Sequence, residues 1–229
     1  MRVGMMHMQG RLTARLNNTW GLNQRSPSSG PRLHEYGSEW LLFVPSGADG
    51  HAQFPLLVML HGAACSARDA MLTVQMAAEK RGFMVFAPQS GEMTWDMIRE
   101  GFGPDFNAIN ETLNNLFDDY PIDPGSIAIG GFSDGASYAL TLGLLNGDLF
   151  NAILAFSPGF SLAEQVIGRP RIYISHGRRD PVLPYDRCGA ALARTLTGHG
   201  LDVRFDPFEG GHIVPLAQVT AAMEWWLDR

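Results

Sequence analysis

The sequence predicts an α/β fold, with a mostly parallel central sheet carrying helices on both faces, formed within one domain. Three observations predict it. Short apolar runs that read as fully buried strands alternate with amphipathic stretches of helical length along most of the chain. The alternation recurs at the spacing of strand–helix–strand units, which favours parallel pairing. At 229 residues, a chain can bury roughly 70–75% of its unfolded surface, enough for one sizeable core without disulfides or metals.

The elements follow in order. Residues 1–31 are polar and rich in turn formers, with Asn17-Asn18 and Ser26-Pro27-Ser28-Ser29-Gly30-Pro31, and are expected to be a loose lead-in to a domain at 32–229. Ordered structure is expected to begin with the apolar run 39–44, which Pro45 stops. Later runs of Leu, Val, Ile, Phe and Ala predict strands at 56–60, 84–87, 127–131, 152–156, 172–175 and 203–207. Helical spacing between them predicts helices at 67–81, 105–120, 134–145, 185–199 and 215–227. Along the first of these helices, Met71, Leu72 and Met76 read as a buried face. There is no internal repeat and no second domain.

Composition narrows the function classes. The chain is 45% hydrophobic and 17% charged, which is ordinary globular usage and excludes a disordered or low-complexity role. A net charge of -6 without a basic cluster leaves no footprint for nucleic acid or an anionic membrane surface. Cys65 and Cys188 lie far apart and lack ligand spacing, so neither a zinc site nor a disulfide framework is indicated; both read as small hydrophobes, buried or semi-buried. The first ten residues lack an apolar run of signal-peptide length, and no later stretch is long enough to span a bilayer. A reduced, cytoplasmic chain without integral membrane association is the expectation.

The chemistry centres on Gly131-Phe132-Ser133-Asp134-Gly135, between an apolar strand and a helix with small residues near its start. A serine in this context is forced into a tight turn that exposes its hydroxyl at the strand's carboxyl end. In parallel sheets the working residues gather at those ends. Asp180 lies in the turn after strand 172–175, and His212 follows strand 203–207 after Gly210-Gly211. A serine hydroxyl is a poor nucleophile at neutral pH. An imidazole must take its proton, and a carboxylate must hold that ring in the right tautomer. Ser133, His212 and Asp180 in the chain order Ser, Asp, His fit this need. Two donors must then stabilise the negative oxygen formed on the attacked carbonyl: the N–H of Asp134, and one from the loop His61-Gly62-Ala63-Ala64, where Ala63 is the choice.

These motifs together, His61-Gly62-Ala63-Ala64, the serine motif, His176-Gly177-Arg178-Arg179-Asp180-Pro181 and Gly211-His212, resemble the phospholipase/carboxylesterase family of α/β-hydrolases, which includes the acyl-protein thioesterases. The resemblance runs from residue 39 to the C-terminus. It implies an α/β-hydrolase fold and gives Ser133, Asp180, His212 and Ala63 the family's roles of nucleophile, acid, base and oxyanion loop. Thioesterase members usually carry glutamine where this chain has Asp134, and a glycine-richer loop where it has Ala63-Ala64-Cys65. The sequence is therefore more similar to a bacterial carboxylesterase branch, and it implies no cofactor and no metal.

Only residues 157–170 separate two predicted strands where many relatives insert a cap, so no lid domain is expected. The walls of an open, apolar groove would come from Trp95, Phe102, Phe160, Leu183 and Ile213, suiting a small-molecule ester with an apolar acyl or aromatic group. Asp186 is the alternative to Asp180, but it should fall in the helix that follows. Of the other histidines, His61 should organise the oxyanion loop, His176 a strand end and His199 a helix C-terminus. Trp225-Trp226 offers either a homodimer patch or core packing, with core packing of at least one the simpler reading. The leading function is a serine carboxylesterase working through an acyl-enzyme. The alternatives are an acyl-protein thioesterase or lysophospholipase, and a hydrolase-fold binding protein that has lost turnover.

Overall fold

Residues 10–16, 32–36, 40–46 and 53–228 are described by a computed structural model. The strands are β1 (Arg32–Tyr36), β2 (Trp40–Val44), β3 (Phe54–Leu60), β4 (Met84–Ala87), β5 (Ile122–Phe132), β6 (Ala152–Phe156), β7 (Arg171–Gly177) and β8 (Val203–Phe208). The helices are α1 (Ala67–Arg81), α2 (Asp96–Arg99), α3 (Pro104–Asp119), α4 (Asp134–Leu145), α5 (Gly189–Gly198) and α6 (Leu216–Leu227). The strands form one eight-stranded sheet in the order β1-β2-β4-β3-β5-β6-β7-β8. Pairing is antiparallel where β2 meets β1 and β4, and parallel from β4 through to β8.

The central strands are apolar on both faces because both faces are covered. Leu56, Val58 and Leu60 of β3 join the cluster built with α3 and α4, while Leu57 and Met59 point the other way, to α1 and α6. From Gly135 onward every residue of α4 is buried, which explains its lack of a polar face. Helix α1 opens on a capping box, in which Ser66 and Asp69 satisfy each other's backbone N–H groups. Its buried stripe runs through Ala67, Ala70, Met71, Val74 and Ala78. The expected burial of Leu72 and Met76 is corrected: they are 62% and 77% exposed, because each lies off that stripe. Trp226 is buried edge-on to Phe83, and Trp225 is half-buried under the guanidinium of Arg171, so the pair forms no bare double-tryptophan patch.

The expected bounds of α1, β4, α4 and β6 match, and most others lie within two residues. Helix α5 starts at Gly189 instead of 185, since the chain leaves Pro184 in turns held by the Arg187 and Cys188 amides on the Pro184 carbonyl. Strand β5 starts five residues early, at Ile122, through an irregular pairing with Phe54 at the start of β3. Residues 157–170 run as irregular chain with one isolated bridge, Gly147 to Gly168, and form no lid. No helix of the described residues is long and apolar enough to cross a membrane.

Part of the stretch 1–31, expected as a loose lead-in, falls within the described residues. Residues 1–9 and 17–31 lie outside the described residues, but 10–16 are packed onto the domain. Leu12 and Ala14 are buried, the Leu12 N–H donates to Asn146 Oδ1 (2.8 Å), and the Thr13 and Ala14 amides donate to Asn110 Oδ1. Arg11 forms a two-pronged pair with Asp148, each bond 2.8 Å, and Arg15 adds a third. The hydrogen bond from Arg11 holds the Asp148 carboxyl down at about 2. A carboxylate whose pKa falls on folding contributes stability above its unfolded value, near 4, and loses it as pH drops through the folded one. The melting temperature of Asp148→Asn is therefore expected to lie below that of wild type at pH 7. Scans at successive pH values should show the gap closing between about pH 4 and pH 2.

Candidate active site

Between β5 and α4 the chain reverses within one residue. Ser133 takes φ 56° and ψ -117°, a left-handed conformation that costs a non-glycine residue energy and places its side chain above the sheet edge. Its N–H donates to the Phe156 carbonyl at 3.0 Å, tying the turn to β6. The flanking glycines are required by proximity. A Cβ on Gly131 would lie 2.4 Å from the Gly135 backbone, and one on Gly135 would lie 2.4 Å from the carbonyl oxygens of Leu60 and His61. Helix α4 can thus sit tight against β3 and β5 only with glycine at both positions.

Loops after β7 and β8 bring the other two groups to this turn. His212 Nε2 is 2.9 Å from Ser133 Oγ, and His212 Nδ1 is 2.7 Å from Asp180 Oδ2. A carboxylate has no proton to offer, so Nδ1 carries the hydrogen and Nε2 is left with a lone pair toward the serine hydroxyl. Asp180 Oδ1 accepts the N–H groups of Val182 and Leu183, both at 2.9 Å. Burial pushes the Asp180 carboxyl up. The bonds from His212, Leu183 and Val182 outweigh it, so the group titrates below the ordinary carboxylate range. Asp186 is exposed in the turn before α5, not inside that helix, and takes no part.

His176 has a role that sequence reasoning missed. Fully buried at the end of β7, it donates from Nε2 to the Leu183 carbonyl at 2.8 Å, and the same nitrogen lies 3.3 Å from Asp180 Oδ2. Both histidines therefore face one carboxylate oxygen. The i, i+4 spacing of His176 and Asp180 was the signal available, but nothing in it says that the turn folds back.

In the loop after β3, the Ala64 N–H donates to the Met93 carbonyl (2.7 Å) and the Cys65 N–H to the Gly62 carbonyl (3.1 Å). Among the described residues, the amides of Ala63 and Asp134 have no hydrogen-bond partner, as donors reserved for a ligand require. Beneath this loop His61 donates from Nδ1 to the Gly62 carbonyl (2.8 Å) and accepts the Ser90 N–H at Nε2 (3.0 Å), the organising position expected of it. Burial lowers its pKa, which favours the neutral ring those two bonds need. Cys65, expected to be at least half-buried, is exposed beyond this tight turn.

The expected groove walls divide. Trp95 is a correction: it is 0% exposed, its indole N–H donates to the His61 carbonyl (2.9 Å), and its ring stacks on Tyr138. An indole between the rings of His61 and Tyr138 with its one donor engaged is scaffold beneath the loop after β3, not a groove wall. Phe102 likewise packs on Phe106 and Tyr138. Phe160 and Leu183 are half-buried, with Leu183 against Gly159, and Ile213 beside the base is 55% exposed. Sequence reasoning also missed the buried acids under this region. Asp96 accepts Tyr138 O–H and the N–H groups of Met97, Gly103 and Phe106, and Asp105 accepts those of Gly91 and Asp96.

A model of the phospholipase/carboxylesterase family matches residues 92–225. A curated relative from Aspergillus terreus, "Probable feruloyl esterase C", is 27% identical over 197 residues, covering 76% of this chain and 71% of its own. Among solved structures, esterase PE8 superposes with a TM-score of 0.60 at 24% identity, covering 76% of this chain and 92% of its own. The substrate-bound fluorophosphonate-binding serine hydrolase FphF of Staphylococcus aureus superposes at 0.66 with 16% identity, covering 86% and 96%.

Proposed function

From the premise that this chain belongs to the phospholipase/carboxylesterase family of α/β-hydrolases, and is a serine hydrolase of ester bonds, we propose a Ser133–His212–Asp180 carboxylesterase that works through an acyl-enzyme. The observation that carries this is the unbroken run of hydrogen bonds from Asp180 through His212 to a serine held in a strained turn.

The geometry supports the following steps. Ser133 Oγ attacks the ester carbonyl carbon as His212 Nε2 takes its proton, and the carbonyl oxygen becomes an oxyanion held by the N–H groups of Ala63 and Asp134. Asp134 begins α4, whose partial positive end adds to that stabilisation. Collapse breaks the bond to the alcohol, which leaves with the proton from His212, and Ser133 is left acylated. Water then gives a proton to His212 and attacks the acyl carbon. The second tetrahedral intermediate collapses to the carboxylic acid, and the proton returns to Ser133.

For the substrate we infer a small ester with an apolar acyl or aromatic group, seated along Phe160, Leu183 and Ile213. The name of the Aspergillus terreus relative, a probable feruloyl esterase, supports the aromatic-acid side of that class. A p-nitrophenyl ester mixed with enzyme should release a burst of nitrophenol equal to the enzyme concentration, with an acyl adduct on the peptide containing Ser133. Retention of a ligand without a burst would mark a binding protein. Side-by-side turnover of a short ester and a long-chain thioester separates the carboxylesterase from the thioesterase, and faster thioester cleavage would overturn the ester preference.

A further inference from the structure

Three consecutive residues, 93–95, each reach a different part of the oxyanion pocket. The Met93 carbonyl accepts the Ala64 N–H at 2.7 Å, the Thr94 hydroxyl donates to Asp134 Oδ2 at 2.6 Å, and the Trp95 indole N–H donates to the His61 carbonyl at 2.9 Å. Ala64 adjoins one oxyanion donor, Ala63, and Asp134 carries the other. The two donors come from segments about 70 residues apart in sequence, and this short stretch is bonded to both.

Ester chemistry needs only the N–H of the residue after the nucleophile, and a carboxylate there is a liability. An unrestrained anion one residue from Ser133 opposes the negative charge that builds on the attacked carbonyl, most strongly where water is excluded. The Thr94 hydroxyl answers this by fixing the Asp134 side chain in one direction and occupying one of its oxygens. Because Met93 is its chain neighbour, the same contact holds the carbonyl that positions Ala64, whose backbone is itself left-handed at φ 57°.

We propose that Thr94 is a positioning residue for the oxyanion pocket, clamping Asp134 and, through Met93, the Ala63–Ala64 loop in the geometry that the tetrahedral intermediates require. The proposal rests on the serine-esterase reading above. Its effect belongs to the transition state: both acylation and deacylation pass through an oxyanion, so loosening the pocket lowers kcat and leaves ground-state binding alone.

The test is Thr94→Val, which keeps the shape and removes the donor, with Thr94→Ser as the rescue. Losing an oxyanion donor outright costs about 100- to 1000-fold, so loosening two should lower kcat about 10- to 100-fold, with KM within about twofold of wild type. Fluorophosphonate labelling should slow in parallel, and Thr94→Ser should recover kcat to within about threefold, because its hydroxyl still donates to the carboxylate. Combined with Asp134→Ala, Thr94→Val should cost little more than the slower single variant, since the two side chains act as one unit. If Thr94→Val does not fold, Thr94→Ala is read by the same criteria. A folded variant with wild-type kcat, a loss confined to KM, failure of the serine rescue, or fully multiplicative losses would each overturn the role of Thr94. Ser133→Ala separates the two levels: if it keeps turnover the esterase reading itself falls, whereas an inactive Ser133→Ala beside an unimpaired Thr94→Val removes only this inference.

Discussion

Ser133→Ala should lower ester turnover by about a million-fold and abolish labelling by a fluorophosphonate, while far-UV circular dichroism stays that of wild type. The size follows from the unit behaviour of the triad: without the nucleophile the base has nothing to activate, and only the oxyanion donors and binding remain, worth about a thousand- to ten-thousand-fold over water. The fold should survive because alanine at φ 56° is no more strained than serine, and because the Ser133 hydroxyl has no partner besides His212 among the described residues. The hydroxyls of two other serines near the site are already engaged. Ser137 Oγ donates to the Ser133 carbonyl and accepts the Gly159 N–H, and Ser90 Oγ is bonded to the Glu92 carbonyl. Undiminished labelling would place the nucleophile elsewhere and undo the mechanism.

Those parts of the molecule that were legible in the sequence are the ones governed by local rules. Parallel strands buried on both faces read as unbroken apolar runs, so β4 and β6 were placed to the residue. The expected triad positions converge because all three lie just past strand ends, and a parallel sheet brings those ends to one rim. Side chains whose role is set by distant partners were not legible. Trp95 looked like a groove wall because a tryptophan in a loop beside a site reads as exposed; only the positions of His61 and Tyr138 show that it is enclosed. The segment at 10–16 carries no strand or helix pattern, and what docks it are bonds to Asn110, Asn146 and Asp148, about 100 or more residues away. Leu72 and Met76 were misplaced for a subtler reason: α1 carries alanines on its buried stripe and large apolar residues beside it, so size pointed to the wrong face.

Asp180→Asn should lower kcat by about ten-thousand-fold, and the reason lies in how asparagine must sit. Oδ1 of Asp180 accepts two backbone N–H groups, while Oδ2 faces His212 Nδ1 and, farther off, His176 Nε2. An asparagine has one acceptor oxygen and one NH2 group to divide between those sides. If its NH2 faced Val182 and Leu183, two buried donors would lose their acceptor, so the oxygen goes there and the NH2 turns to His212. The imidazole must then accept at Nδ1 and carry its proton on Nε2, where it can no longer take one from Ser133. The exposed neighbour provides the control, since Asp186→Asn should leave turnover within about twofold of wild type, as expected for a surface carboxylate away from the site. Because the hydrogen bonds to Asp180 hold its pKa below the ordinary range, wild-type turnover should not fail through protonation of this group until the pH has fallen below that range. A loss in Asp186→Asn with activity kept in Asp180→Asn would transfer the acid's role to the wrong side of Pro184, and the hydrogen-bonded series from carboxylate to serine would no longer explain catalysis.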